Sequence, residues 1–186
     1  MITKHFLEKI YIGKIVLKKI SVKSDNVELS QLVSLYKKNK KHLFYWHHGF
    51  KQLLFNNTVD IINRIKKCRL ICYTVYISNK IIGCIEITKI EKDLGKFNCR
   101  TLSFWIDKDN VRKGIMFNCL NTLEKYLNTQ GTDVLCAEVN IDNTPSINLL
   151  EKSGYKKYGA SILVSKEGKT LCKTYSYKKT IKQKAA

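Results

Sequence analysis

The stretch LSFWIDKDNVRKGIMFNCL, residues 102–120, decides the fold of this chain. Its first part lies in TLSFWID, a β-branched and aromatic run that predicts a strand. From Ile115 the following apolar residues fall at offsets of +1, +4, +5, +8, +11 and +12, which is one face of a helix. The stretch therefore predicts a strand, a short loop and a long helix that ends between Asn128 and Gly131.

The loop between this strand and this helix has the composition of an anion site. The first backbone N–H groups of a helix have no partner within the helix, and the helix dipole adds partial positive charge there. Gly114 lets a phosphate approach the backbone closely, while Arg112 and Lys113 add positive charge. The alternative is an ordinary strand-to-helix turn with a solvated basic pair.

The neighbouring segments extend this unit into a sheet. DVLCAEV, residues 133–139, predicts the next strand, so the region 101–139 forms one parallel crossover. RLICYTVYI and IIGCIEITKI, joined by SNK, predict a hairpin over 69–90. The other predicted elements are a strand at 15–21, a helix capped by Asp25 or Asn26, a basic and aromatic loop at 37–50, a helix at about 55–67, a loop with Gly95, and a final hairpin at 155–164 and 170–177 around Glu167 and Gly168.

This order predicts an α/β (α+β) fold with a mixed, mostly antiparallel central sheet flanked by helices. The 186 residues fit one domain, with a core at about 15–180 and a basic tail at 178–186. Hydrophobic residues make up 44%, which excludes a disordered chain. No apolar run reaches the roughly 18 residues of a membrane span, and the first residues lack a secretory pattern.

Charge is the unusual property of the composition. Lys and Arg number 34 against 15 Asp and Glu, which gives a formal net charge of +19. This balance favours contact with nucleic acid, a ribosome, an anionic membrane or an acidic small molecule. Lysine is spread along the chain together with Ile and Asn, so the composition of an AT-rich genome explains the charge equally well.

The seven cysteines predict thiols rather than a disulfide framework. Their number is odd, and the sequence has no CxxC pair and no Cys/His spacing of a metal site. Because reduced thiols are typical of the cytosol, we expect a cytoplasmic protein without a bound metal.

A second informative stretch is VNIDNTPSINLLEKSGYKKYG, residues 139–159. It predicts a short helix capped by Thr144, with Pro145 at its first position and Gly154 just past its end. With this stretch the chain resembles the GNAT N-acetyltransferases, and within them the RimJ/RimL branch that acetylates protein N-termini. Three segments carry the resemblance in the family's order: IIGCIEI, LSFWID followed by RKGIM, and DNTPSINLLEKSGYKKYG.

The resemblance implies a single acyl-CoA N-acyltransferase domain over residues 1–186, with acetyl-CoA as cosubstrate. Family members bind it through backbone groups of the strand before the long helix and through the loop that follows. Asn143 and Ser146 match the family's positions near the CoA thiol, and Asn148 lies one turn further on, within reach of the pantetheine arm. The other implied contacts are Phe104, Trp105 and Ile106 for the acetyl group and pantetheine arm, and Arg112, Lys113, Gly114, Ile115 and Met116 for the pyrophosphate.

The phosphate loop departs from the family pattern at two positions. Family members usually have Gln or Arg where this chain has Val111, and Gly or Ala where it has Met116. Val111 cannot donate a side-chain hydrogen bond, and Met116 is bulkier. Because such loops bind mainly through backbone N–H groups, we expect binding to persist with lower affinity.

The implied reaction is direct attack of an amine on the thioester, which needs a base for the amine and a proton for the leaving thiolate. RimL-like members often have a Glu where this chain has Ser165, and Glu167 lies two residues further on. Glu86 and Glu138, on predicted strands near the cleft, are the candidate bases. Each of them has an alternative interpretation as a solvated strand residue.

Two residues are candidate acids for the thiolate. The Ser146 hydroxyl could lie near the thiol, or it could only hydrogen-bond the start of its helix. Tyr155 follows Gly154, a position that is also typical of a core aromatic.

The acceptor side is predicted near Trp46, His47 and His48, in a loop that lines this side in similar enzymes. Trp46 could stack on a substrate while a His contacts it, or the loop could pack its aromatic residues on the core.

Three functions remain open from the sequence. The first is acetylation of the N-terminal amine of a ribosomal or other protein, with Lys37 to Lys41 contacting an acidic partner or ribosomal RNA. The second is acetylation of a small amine such as an antibiotic or an aminoacyl nucleotide. The third is a non-catalytic acyl-CoA or RNA-binding module on the same fold.

Overall fold

A computed structural model describes residues 6–20, 26–46, 57–59, 62–63, 70–88, 90–93, 97–164 and 170–181. Three helices of more than one turn are described: α1 (Asn26–Trp46), α2 (Ile115–Thr129) and α3 (Thr144–Lys152). The strands are β1 (Lys9–Ile12), β2 (Ile15–Ile20), β3 (Ile71–Ile77), β4 (Lys80–Ile87), β5 (Glu91–Asp93), β6 (Phe97–Ile106), β7 (Val134–Asn140), β8 (Lys156–Val164) and β9 (Thr170–Thr180).

The strands form one sheet in the order β1-β2-β3-β4-β6-β7-β9-β8, and the short β5 pairs with β6. β6 and β7 run parallel, joined by α2, whereas the other described strand pairs are antiparallel. The predicted fold class, the single crossover and both predicted hairpins are therefore confirmed. The tight β3–β4 turn has positive φ at Ser78 and Asn79, as a two-residue hairpin of type I′ requires.

Helices pack on both faces of the sheet. One apolar cluster joins the buried face of α2, including Leu120, Leu123 and Leu127, to Ile85 and Leu135 in the sheet. Leu150 of α3 belongs to this same cluster. A second cluster, here the α1 cluster, joins α1 to Cys72 and Cys84 through Leu29, Leu32, Val33, Tyr36 and Leu43.

Three sequence predictions need correction, and the first strand was missed. The cap of α3 is Asn143 rather than Thr144. The basic segment from residue 37 is not a loop, because α1 continues through it to Trp46. β1 (KIYI) was not predicted, since its four residues are too few to show a clear period. Lys178 to Thr180 are not tail but the end of β9.

The predicted helix at 55–67 falls mostly outside the described residues. Residues 58–59 and 62–63 are helical, and Ile62 packs against the α1 cluster.

Candidate active site

The parallel strands β6 and β7 separate after a short shared ladder. Cys99 to Thr101 pair with Val134 to Cys136, and within residues 97–164 no later pair is formed between the two strands. The other edge of β6 stays paired with β4 up to Ile106. Because ladder hydrogen bonds alternate along a strand, the backbone groups of Phe104 and Ile106 point into the gap toward β7. We call this gap the β6–β7 split.

Gly83 brings β4 close to the strand that borders the split. A Cβ at this position would lie 2.4 Å from the carbonyl oxygen of Trp105. Only a glycine allows this approach, which gives a physical reason for the glycine of IIGCIEI. The Trp105 ring packs edge-on against Tyr36 of α1, with ring centroids 5.9 Å apart. The side chain of Trp105 therefore faces α1.

The turn after β6 ends in an open helix N-terminus. The N-cap of α2 is Gly114, in the left-handed region at φ 70°, and it has no side chain to accept from the helix. Arg112 is also left-handed, at φ 61°, which is unfavourable for a residue with a Cβ. Arg112 and Lys113 are exposed beside this N-terminus. Backbone donors and two cations thus meet where a phosphate would bind.

The side chains of Ile115 and Met116 point into the core, away from the loop that precedes α2. Their side chains are 7% and 6% exposed and belong to the apolar cluster of α2. The bulk of Met116 is therefore accommodated in the core. Val111, the other departure from the family pattern, is 38% exposed.

The turn after β6 is held by hydrogen bonds from three directions. The Asp107 N–H donates to the Ile82 carbonyl oxygen at 2.7 Å. The Lys108 N–H donates to Oδ1 of Asn39 in α1 at 3.0 Å. The Lys113 ammonium donates to the Asp109 carbonyl oxygen at 2.7 Å. These contacts fix the turn against β4, against α1 and against itself.

An ion pair also joins α1 to this turn. The Lys38 ammonium donates to Oδ2 of Asp109 at 2.7 Å and to Oδ2 of Asp107 at 3.3 Å. The hydrogen bond from Lys38 lowers the pKa of Asp109, and the same contact raises the pKa of Lys38. The Asp109 carboxylate is therefore charged at neutral pH, and it holds Lys38 on the turn.

The turn after β7 closes its own helix N-terminus. Oδ1 of Asn143, the N-cap of α3, accepts from the Ser146 N–H at 3.2 Å. Asn143 is 9% exposed, Ser146 is half-buried and Asn148 is exposed. Because Asn143 satisfies the backbone of Ser146, the Ser146 hydroxyl is not needed as a cap.

The sheet register places both candidate bases on one face. Glu86 of β4 lies directly opposite Ser103 of β6. Thr101 of β6 pairs with Cys136 of β7. Since side chains two residues apart on a strand share a face, Ser103 and Glu138, each two residues further on, also lie on this face. Glu86 and Glu138 therefore stand on opposite sides of the β6–β7 split. Glu138 is exposed and Glu86 is half-buried.

Tyr155 lies beside the second half of α2 rather than beside its N-terminus. It is 3% exposed, and the Lys179 ammonium lies 5.7 Å from its ring centroid. Lys179 donates to Glu124, nine residues into α2 from Ile115, which is about 14 Å along the helix. Burial and the nearby Glu124 raise the pKa of Tyr155 well above its usual value. The structure thus supports the core role for Tyr155.

Several predicted residues lie outside the described part of the chain. They are His47, His48, Ser165 and Glu167; Trp46 is the last residue of α1, and its side chain is not described. Asn39, whose amide oxygen accepts from the turn after β6, was missed by sequence reasoning, although it lies within the predicted basic segment.

Residues 24–170 match the family described as an acetyltransferase (GNAT) domain. The chain belongs to the GNAT acetyltransferases. It is therefore an acyltransferase domain, and GNAT enzymes use acetyl-CoA as the acetyl donor. A search of curated proteins gave no significant sequence match.

Solved structures share this GNAT fold at low sequence identity. A RimL ribosomal L7/L12 α-N-protein acetyltransferase is 17% identical with a TM-score of 0.74, covering 95% of this chain and 96% of its own. The ribosomal-protein-S5-alanine acetyltransferase from Vibrio fischeri is 18% identical with a TM-score of 0.74, covering 92% and 96%. The microcin C7 self-immunity acetyltransferase MccE, in complex with acetyl-CoA and AMP, is 18% identical with a TM-score of 0.72, covering 90% and 93%.

Acetyl-CoA suits the observed site on physical grounds. Backbone groups that point into the β6–β7 split fit an extended amide-containing arm, and the open N-terminus of α2 fits a pyrophosphate. Among the described side chains, no group of three or more His, Cys, Asp or Glu could hold a metal ion. None of the described helices has the length and hydropathy to cross a bilayer.

Proposed function

We propose that this GNAT domain transfers the acetyl group of acetyl-CoA to a primary amine, with the N-terminal amine of a ribosomal or other protein as the preferred acceptor. One observation carries the proposal: the β6–β7 split opens beside the unblocked N-terminus of α2. A single extended ligand with an anionic end fits both features at once. The fold shared with RimL and with the S5-alanine acetyltransferase supports a protein N-terminus as the acceptor.

The binding roles follow from the backbone geometry. The groups of Phe104 and Ile106 that face the split are available to the acetyl carbonyl and the pantetheine amides. The pyrophosphate would receive N–H donors from the first turn of α2 and charge from Arg112 and Lys113. Because these donors are backbone groups, the unusual side chain of Met116 does not prevent binding.

The chemistry needs an acceptor for one proton and a donor of another. The neutral amine attacks the thioester carbonyl carbon, so that a C–N bond forms and the C–S bond breaks. Glu86 or Glu138, directly or through a water, would take the proton that the amine loses. The Ser146 hydroxyl would pass a proton to the departing thiolate and take one back from solvent, so that the serine ends as a neutral hydroxyl and CoA leaves as the thiol. Its position at the start of α3, with its N–H already held by Asn143, supports this role.

The charge of the chain is relevant to the acceptor. The exposed lysines Lys37, Lys40 and Lys41 lie on the last turns of α1, which leads toward the predicted acceptor residues. These lysines would contact an acidic partner or ribosomal RNA, with an affinity that falls as salt rises. This contact is part of the proposal.

A small amine is the second candidate acceptor. The fold similarity to MccE, whose structure contains acetyl-CoA and AMP, favours it. In this case the acceptor would be a small amine or an aminoacyl nucleotide, with Trp46 as a stacking platform. A non-catalytic acyl-CoA or RNA-binding module is the third possibility.

A thermal melt with and without acetyl-CoA is the first test. A ligand at 100 times its Kd stabilises a protein by roughly 2.7 kcal/mol. For a domain of this size we expect a rise of about 5–11 °C in Tm, which ATP or NAD does not reproduce. No shift at millimolar acetyl-CoA would contradict the proposed cosubstrate.

A release assay for the CoA thiol then separates the acceptors. Peptides that begin with the N-terminal residues of ribosomal proteins should give stoichiometric thiol release, and the same peptides with a blocked N-terminus should give none. Turnover restricted to an aminoglycoside or an aminoacyl adenylate would favour the small-amine function. Tight RNA binding without turnover would favour the non-catalytic module.

A further inference from the structure

α1 makes a buried contact with the turn to which the proposed function assigns the pyrophosphate. Asn39 is 1% exposed. Its Oδ1 accepts from the Lys108 N–H at 3.0 Å, and its Nδ2 donates to the Leu35 carbonyl oxygen at 2.9 Å. Both polar atoms of the amide are therefore used, which fixes the side chain in one orientation.

Asn39 occupies a position that core packing alone would give to an apolar residue. It lies three residues after Tyr36 and four residues before Leu43, both of which are buried in the α1 cluster. A buried amide loses its water, and that cost is offset only by hydrogen bonds within the protein. The bond to Lys108 connects this side chain to the turn rather than to the core.

The turn itself needs external support. It contains Arg112, a residue with a Cβ, in the left-handed region at φ 61°. Unfavourable backbone angles persist only where the surroundings fix them. Asn39 supplies one such constraint, and the ion pair of Lys38 with Asp107 and Asp109 supplies a second, more exposed one.

We propose that Asn39 is a positioning residue for acetyl-CoA binding: through the Lys108 N–H it holds the turn at 107–114 in the conformation that receives the pyrophosphate. This inference rests on the proposed function. Without this hydrogen bond the turn adopts its binding conformation for a smaller fraction of the time. The apparent Kd for acetyl-CoA rises in proportion as that fraction falls. The chemistry beyond the turn is unaffected once the ligand is bound.

The test compares two ways of breaking the same hydrogen bond. Asn39→Ala removes the acceptor from α1. Lys108→Pro removes the donor without touching α1, and Asp107, at φ −53° and ψ 135°, already has the backbone conformation that precedes a proline. Lys108→Ala is the matched control, because it keeps the N–H and loses only the side chain.

Calorimetric titration with acetyl-CoA and steady-state kinetics give the decisive readouts. Asn39→Ala and Lys108→Pro should each raise the Kd and the KM for acetyl-CoA about tenfold, with kcat at saturation within about twofold of the parent. Lys108→Ala should bind like the parent. The double variant should be no worse than either single variant, since both remove one interaction.

Three results would overturn the inference. One is an Asn39→Ala variant that melts lower but binds acetyl-CoA like the parent, which indicates a purely structural asparagine. Another is a Lys108→Pro variant that behaves like Lys108→Ala. The third is an additive double variant. If the parent enzyme itself does not bind acetyl-CoA, the proposed function fails first, and that failure is distinct from these three.

Discussion

Two strand-to-helix turns follow the adjacent parallel strands β6 and β7, and they differ in whether a side chain caps the helix that begins there. After β6 the N-cap is Gly114, which has no side chain. After β7 the N-cap is Asn143, whose Oδ1 accepts from the Ser146 N–H at 3.2 Å. The first turn has no capping side chain to occupy its N–H donors, whereas the second uses a donor within the protein.

The difference shows what makes a helix N-terminus available to an anion. Every helix presents unpaired N–H groups, but a capping side chain competes for them. In α3 the side chain of Asn143 accepts from the Ser146 N–H. The Ser146 hydroxyl is therefore not needed as a cap. Two turns of the same topology can thus serve binding and chemistry separately.

Placing a carboxylate on the open turn gives the largest expected effect. Gly114→Asp puts a negative charge where the pyrophosphate would bind, and Asp tolerates the left-handed region better than most residues. We expect the affinity for acetyl-CoA to fall by about 100-fold from like-charge repulsion. Isothermal titration measures the change. Gly114→Asn, the neutral control of similar shape, should lose much less, and an equal loss in both variants would show that charge is not the cause.

Removing the Ser146 hydroxyl should affect turnover rather than folding. Ser146→Ala is expected to lower kcat at least tenfold, as is typical of a lost proton donor, because Asn143 still holds the backbone N–H. Steady-state kinetics and a melt report the two effects separately. Ser146→Thr keeps a hydroxyl and should retain more activity. Unchanged turnover in Ser146→Ala would remove this residue from the mechanism.

Removing the cap of α3 should affect stability. Asn143→Ala loses the acceptor for the Ser146 N–H, which costs about 1 kcal/mol at an N-cap. For a domain of this size that corresponds to a fall of about 2–4 °C in Tm. Asn143→Asp keeps an acceptor and should melt close to the parent. If both variants melt alike, the cap does not stabilise α3.

The smallest expected effect comes from the exposed arginine of the open turn. Arg112→Ala removes a charge and should weaken acetyl-CoA binding about threefold, a loss that disappears at high salt. Arg112→Gly removes the same charge and also the unfavourable left-handed angle, so it should bind like Arg112→Ala but melt higher. Titrations at two salt concentrations, together with melts, separate the two contributions. A salt-independent loss would point to the turn's conformation instead of its charge.

The two turns were readable from the sequence because their signals are local. Gly114 before the apolar period of α2 marks one helix start and Pro145 marks the other, although the sequence predicted Thr144 as the cap of α3 and the structure has Asn143 there. The β3–β4 hairpin was predicted for the same reason. Such patterns need no knowledge of the rest of the chain.

The contacts that join these turns to distant parts of the chain could not be predicted from the sequence. Glu86 and Glu138 were each predicted on a strand, but their shared face depends on the register of β4, β6 and β7, which distant contacts set. The end of α1 was misplaced because Asn39 interrupts the apolar stripe with a polar residue. Its partner, the Lys108 N–H, lies 69 residues away in sequence.

The strand β6 changes partners along its length, and this has a consequence for amide hydrogen exchange. Its hydrogen bonds to β4 alternate, so the amides of Ser103 and Trp105 are protected while those of Phe104 and Ile106 face the split. In the free enzyme, fast and slow exchange should therefore alternate residue by residue over this segment. Bound acetyl-CoA would slow the fast positions alone, a signature that global stabilisation does not produce.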